Sequence, residues 1–240
     1  MKTLHFSKYI ALSMIVLVVI TSCKKRGDFE VPCKIASFVD TEGRTATFAY
    51  NVWGDPTSIT IDNTTTGKPN VYFKYDNQKR LISTLGSYSS EVHDYMIKYK
   101  YGSNNFIVSD TFFVSGYGDP YNGANYYAYI LRNYTYDAQG RVTRMDNKYV
   151  AGGFSNEYSN TWSYDGQGNR VNGQTYDNKP SFLRTNLVFA FINQNYSMNN
   201  PSTASAYNSK KLPTAFSLPS NGNGAHFLNH QIVSINYTCN

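Results

Sequence analysis

The chain of 240 residues carries little that does chemistry: three cysteines, two tryptophans, four histidines, and only 16% Asp, Glu, Lys and Arg. No Gly-x-Ser-x-Gly elbow, Walker loop or dinucleotide fingerprint occurs, so the usual sequence support for a hydrolase, a nucleotide enzyme or a dehydrogenase is missing. Past His5 the histidines are His93, His226 and His230. His226 and His230 have the four-residue spacing of two metal ligands on a helix. Gly222 and Gly224 precede them and an alternating apolar stretch follows, so they read as polar loop residues. Lys and Arg are scattered rather than gathered into a stripe, which gives nucleic acid no footprint. The expectation is a non-enzyme with no cofactor and no metal.

What is present begins with a leader. Lys2 and Lys8 precede an apolar run from Tyr9 to Ile20, interrupted only by Ser13 and shorter than the ~20 residues that span a bilayer. It ends in Ile20-Thr21-Ser22-Cys23, which resembles the lipobox of bacterial lipoproteins. The run reads as a signal peptide over residues 1–22, and the resemblance implies acylation of Cys23; a tether over 23–32 and a single β domain over 33–240 are expected to follow. A multiply acylated cysteine anchors a chain stably to a membrane. Without Lys2 and Lys8 the balance is 20 basic against 16 acidic residues, a net +4. Much of the excess is Lys24-Lys25-Arg26, which lacks the acidic residues that surface-export signals of such lipoproteins usually carry. The expected place is the outer membrane, with its periplasmic and surface faces both open.

With Cys23 acylated, Cys33 and Cys239 remain in a chain exported to an oxidising compartment, and they are expected to form a disulfide. Cys33 opens an apolar stretch with Ile35 and Val39, and Cys239 is in phase with Val233, Ile235 and Tyr237. The bond would tie the first strand to the last.

The body of the chain repeats itself. Phe48-Ala49-Tyr50-Asn51, Phe73-Lys74-Tyr75-Asp76, Tyr99-Lys100-Tyr101-Gly102, Tyr134-Thr135-Tyr136-Asp137 and Trp162-Ser163-Tyr164-Asp165 share one form: aromatic, any residue, Tyr, turn residue. Asp76, Asp137 and Asp165 each open a turn that restarts at an apolar residue, with Gly140 and Gly168 supplying the left-handed conformation such turns need. Val71, Phe73 and Tyr75 alternate with Tyr72 and Lys74. Tyr95, Ile97, Tyr99 and Tyr101 alternate with Met96, Lys98 and Lys100, and Tyr158, Trp162 and Tyr164 with Ser159, Thr161 and Ser163. One face is aromatic and the other polar. The fold class is therefore all-β: an antiparallel meander of about ten strands, curled or closed into a barrel to hide the aromatic face.

The Tyr-Asp-x-x-Gly-Arg-Val pattern is similar to the YD repeat of bacterial surface proteins of the Rhs type. With the lipobox and the Tyr237-Thr238-Cys239 ending, the chain resembles small Bacteroidetes lipoproteins of unknown function with degenerate YD repeats, here over about 46–171. That resemblance implies a porin-like β fold and no catalytic residue. Lys79 stands where Gly is expected, and Tyr101-Gly102-Ser103-Asn104 lacks the Asp.

The part over 172–240 is organised differently. Leu183, Leu187, Val188, Phe191 and Ile192 recur at helical spacing, which allows one short helix near 181–192, with a buried strand from Thr185 to Ile192 as the alternative. Asn195 to Gly224, rich in Asn, Ser and Pro, reads as a long loop. That loop and Gly116 to Ala124 are the places to look for a ligand. The leading function is a binding module for glycan or an envelope protein, with a structural or assembly lipoprotein as the alternative. A transmembrane barrel is disfavoured by the Thr238-Cys239-Asn240 ending and by outward lysines such as Lys98 and Lys100.

Overall fold

One turn, used seven times, organises the molecule. In a computed structural model describing residues 32–218 and 224–239, the turns open at Asp40, Asn51, Asp76, Gly102, Asp137, Asp165 and Asn208. Each first residue's N–H donates to the carbonyl four residues on, and its carbonyl accepts from the N–H three residues on. The fourth residue (Gly43, Gly54, Lys79, Asn105, Gly140, Gly168, Lys211) is left-handed, with φ between 61° and 92°. Glycine suits that position, and a side chain there costs ~1 kcal/mol, which Lys79 and Lys211 sustain. The six Asp or Asn openers add a side chain. Their Oδ1 accepts from the N–H groups two and four residues on, at 2.8–3.0 Å. At Gly102 the acceptor moves to Asn104, which takes the N–H of Phe106 at 3.1 Å. The expected leader, the expected acylation site Cys23 and nearly all of the expected tether lie outside the described residues, as does Pro219.

These turns and the connections between them join ten consecutive antiparallel strands: β1 Cys33–Asp40, β2 Thr45–Tyr50, β3 Pro56–Ile61, β4 Asn70–Tyr75, β5 Leu81–Ser87, β6 Val92–Tyr101, β7 Ile107–Tyr117, β8 Asn125–Tyr136, β9 Val142–Ala151 and β10 Phe154–Thr161. The expected ten-strand meander is present. The sheet does not stop there. β16 (His230–Cys239) pairs with β1, followed by β14 (Pro213–Phe216) and β13 (Ala204–Tyr207), and β15 (His226–Phe227) pairs with β16, giving fourteen strands. A separate pair, β11 (Tyr176–Pro180) with β12 (Asn199–Pro201), lies outside it.

The tyrosine before each turn explains why hairpins stack. Between hairpins the ladder stops short of the turns: β5 and β6 pair only as far as Ser83 with Lys98, and β7 and β8 as far as Ser109 with Asn133. There the tyrosine hydroxyl takes over. Tyr75 donates to the carbonyl of Pro56 (2.8 Å), Tyr101 to Leu81 (3.1 Å), Tyr136 to Ile107 (2.7 Å) and Tyr164 to Val142 (3.2 Å). Each acceptor is the fifth residue after the previous turn's opener. Tyr and Asp therefore do separate jobs, one joining hairpins and the other closing them.

The sheet is curled and open, with β10 and β13 as its two edges. Of the two expected forms, curled or closed, the sheet takes the first. β1 and β16 do lie side by side, but in the interior of the sheet, because β14 and β13 add beyond β16. The segment read as a loop from Asn195 to Gly224 supplies β12, β13 and β14, short strands concealed by their Asn, Ser and Pro content. The helical spacing over 181–192 resolves into a 3-10 turn (Phe182–Thr185) and a helix α1 (Leu187–Ile192), broken at Asn186, whose side chain caps the N–H of Val188; the strand alternative is not adopted.

The 3-10 turn and α1 form a plug on the concave face. Phe182, Leu183 and Phe189 pack with Ile35, Phe38, Phe48, Ile59, Val71 and Phe73, while Ala190 and Phe191 pack with Ile107, Tyr134 and Val142. Two glycines let tyrosine rings lie flat across a neighbouring strand: a Cβ on Gly86 or Gly116 would come within 2.4 Å of the Tyr95 or Tyr126 ring.

The faces differ from the expectation in two places. The outer face is not uniformly polar, since Tyr72, Leu85, Met96, Phe113, Tyr129 and Val150 are successive cross-strand partners and Met96 is buried. Strand β10 has no aromatic inner face, because the plug does not reach it and all eight of its side chains, Tyr158 included, are exposed. In β16 the burial phase breaks between Ile232 and Ile235 where the pairing with β1 shifts register. The break takes Val233 out of the buried row, whereas Cys239 shares the face of buried Ile235 and of Tyr237, which packs on the core, and is itself exposed at the end of the strand.

Candidate functional site

The residues singled out by sequence belong to the scaffold. Tyr75, Asp76, Tyr136, Asp137, Gly140, Tyr164, Asp165 and Gly168 all sit along one rim of the sheet, in the turns and inter-hairpin bonds described above. Asp76 and Asp137 also pair with Arg80 and Arg141, four residues on, at 2.7 Å. Their carboxylates are therefore engaged. Burial pushes the Tyr164 hydroxyl up to about 12, so it stays a proton donor at neutral pH. Cys33 and Cys239 stand directly opposite in the β1 and β16 ladder and are joined as a disulfide, with Cα atoms 4.0 Å apart. The Gly118 to Ala124 stretch of the expected ligand loop is strapped down: the Asp119 carboxylate accepts from the N–H of Tyr121 and from the side-chain amide of Asn122, and Lys74 sits over the Tyr121 ring.

The histidines are not a pair of loop residues. His226 is exposed in β15, whereas His230 is buried and its Nδ1 lies 2.8 Å from Asp40 Oδ2. That contact fixes the proton on Nδ1 when the ring is neutral. Burial pushes the Asp40 carboxyl up, but the bonds from His230 and from the N–H groups of Arg44 and Glu42, with the charge of Lys68, outweigh it and hold it at about 2. Burial lowers His230 from 6.5, against the opposing pull of Asp40. Both shifts have one sign for stability. The unfolded chain takes up these protons first, so stability is lost as the pH falls below about 6.5 through the lowered His230 value, and again from about 4 towards 2 for Asp40. Replacing His230→Asn keeps a donor for Asp40 and removes the first titration. Thermal denaturation of the variant is expected to lose the decline that wild type shows between pH 7 and 5; an unchanged slope would place the titrating group elsewhere.

Two cavities flank the plug. One of about 280 Å³ opens at the turn rim against Tyr75, Tyr101, Tyr136 and Leu187. The other, about 380 Å³, lies on the concave face of β5 to β8 and is closed by Phe191, Ile192, Asn193 and Gln194. Its floor holds a buried charge pair. Arg132 places Nε 2.7 Å from Asp110 Oδ1 and Nη2 2.9 Å from Oδ2, and the Tyr134 hydroxyl donates to Oδ2 at 2.6 Å. The Asp110 side chain is wholly inaccessible. Burial pushes its carboxyl above the usual carboxylate range, with the guanidinium and the Tyr134 hydroxyl pulling the other way. Phe112 lies under the guanidinium, 4.8 Å from ring centre to Cζ. Among the described residues no group of three or more His, Cys, Asp or Glu is arranged to hold a metal, and no helix is long and apolar enough to cross a membrane.

The chain matches no known protein family, and no curated protein matches it. The site must be argued from its own residues. Asp110 and Arg132 were not among the sequence candidates, although a signal existed. Asp110 is in phase with Phe112 and Val114, and Arg132 with Ala128, Ile130 and Tyr134, so both charges fall on the apolar face of their strands. A charge at such a position is paired or functional.

Proposed function

We propose that this chain is a lipid-anchored binding module of the cell envelope, held to the outer membrane through Cys23, that receives a glycan or a segment of an envelope protein on the concave face of its sheet. One observation carries the reading. The rim acids and the hydroxyls of Tyr75, Tyr101, Tyr136 and Tyr164 are consumed by turns and hairpin bonds, while the concave cavity sets Asp94 and Arg132 among the rings of Tyr95, Tyr99 and Phe112. Its mixture of aromatic walls and a few fixed polar groups is the usual make-up of a small-molecule site. Anchoring and non-catalytic binding belong together here, since a tethered receptor needs no turnover. A structural or assembly role is the second reading, supported by β10, an eight-residue edge strand with no proline and only Glu157 as a charge to discourage pairing.

The test has two arms. Full-length chain fed a fatty-acid analogue should incorporate label, and Cys23→Ser should not; equal labelling would remove the anchor. The domain from residue 24 onward, screened on a glycan array, should give a related set of hits. A silent array would remove the glycan, and self-association of that domain through β10 would favour assembly.

A further inference from the structure

The seven turns of one design can be compared position by position. The second and third residues form each tip, and in the turns opened by Asp or Asn the closing bonds use only the backbone of the third. Six tips are polar or small, as in Asn77-Gln78, Ala138-Gln139 and Ser209-Lys210. The seventh is Val52-Trp53, with Val52 92% and Trp53 58% exposed. A valine and a tryptophan left in water forgo the gain of burial, and nothing in the turn asks for them.

That tip lies where the chain enters the domain. Lys34, the second residue of β1, is so near the turn that a Cβ on Gly54 would lie 3.4 Å from its Cε, and the ladder from Cys33 to Cys239 ends there. Asn186 donates to the Gly54 carbonyl at 3.2 Å, which sets Leu187, itself 38% exposed, on the same rim. Fully extended, the stretch from Cys23 to Cys33 spans at most ~35 Å. An acyl group on Cys23 therefore keeps this rim near a bilayer, where a weak second contact becomes effectively intramolecular.

Charge separates the two rims. On the tip's rim stand the exposed Lys34, Lys79, Lys210 and Lys211, with Lys79 Nζ 5.0 Å from the Trp53 ring centre. Lys79 and Lys211 hold their amines there from left-handed backbone positions that favour glycine. Asp76 and Asp137 are paired with Arg80 and Arg141, so Asp55 and Asp165 are the acids left to set against those lysines. The opposite rim carries Glu42, Asp62, Glu91 and Asp119 against Arg44 and Lys68, and its exposed Tyr117 is bonded to Glu91. An indole suits the headgroup level of a bilayer, and amines suit anionic lipid.

We propose that Val52 and Trp53 insert into the headgroup region of the membrane that carries the anchor, with the lysines of the same rim on anionic lipid and the acidic rim pointing away. The proposal rests on the anchored reading and gives the domain its orientation. For the test, the chain is purified from a host that acylates lipoproteins. It is reconstituted in vesicles of phosphatidylethanolamine and phosphatidylglycerol, brominated near the headgroup end of their acyl chains. The chain has two tryptophans, so the difference between wild type and Trp53→Phe isolates Trp53 from Trp162. Bromine should quench wild type more strongly than Trp53→Phe, and that excess should shrink as salt rises. Val52→Asp, at an exposed tip, should leave the melting temperature unchanged and weaken docking about tenfold or more. Equal quenching of wild type and Trp53→Phe on vesicles that carry the chain overturns the docking and leaves the anchor standing. So does an excess that Val52→Asp leaves intact. A chain that takes no fatty-acid label and stays off the vesicles removes both.

Discussion

Replacing Cys33 and Cys239 together by serine is expected to lower the unfolding free energy by up to roughly 5 kcal/mol, the chain-entropy value for releasing a loop of 206 residues. For a chain of this size that is a fall of about 10 °C or more in melting temperature. The position of the bond makes the effect structural as well as entropic. It closes the end of the β1 and β16 ladder, and that ladder is the seam between the ten-strand meander and the β14 and β13 extension. Register slippage along a seam reverses which side chains face the core. Here it would turn Ile35, Phe38, Ile232 and Ile235 away from the plug, all of them buried. Calorimetry of wild type, of reduced wild type and of the double variant checks this. A melting temperature within 2 °C of wild type would mean that β1 and β16 hold the seam unaided.

What could be read from the sequence was local. A turn opened by Asp or Asn and finished by a left-handed residue is written within five positions, so the rim of the sheet and the phase of most strands followed from spacing. The disulfide partners followed by subtraction of Cys23. Long-range features were not legible. Tyr75 names no acceptor in its own vicinity, and the Pro56 carbonyl that it reaches is identified only when hairpins stack. Strands β13 and β14 have four residues each and borrow their order from β16, so their composition resembles a loop. His230 and Asp40 are 190 residues apart and meet only because β1 and β16 pair. Whether the sheet closes was not encoded in the pairing of its first and last strands, since further strands can be added at either side. The site lies between the two extremes. Alternation put Asp110 and Arg132 on an inward face, but their pairing required β7 and β8 to be in register.

Removing one partner of that buried pair should be the most damaging single substitution on the concave face. Asp110→Ala leaves the Arg132 guanidinium without its counter-charge and the Tyr134 hydroxyl without its acceptor, in a site where the carboxylate was wholly inaccessible. Breaking a buried ion pair in this way costs about 3–5 kcal/mol. Asp110→Leu combined with Arg132→Met removes both charges and substitutes apolar volume, so it is expected to recover to within ~1–2 kcal/mol of wild type, because much of what the pair gains is offset by desolvation. Urea unfolding separates the cases: the midpoint should fall sharply for the single variant and largely return for the double one, with an unchanged denaturant slope. The pair's role in binding would show in the same proteins. If the charges serve the ligand, the recovered double variant is stable yet takes no glycan, which stability alone cannot explain. If Asp110→Ala costs less than about 1 kcal/mol, water reaches the guanidinium, and the desolvated pair on which the site is built does not exist.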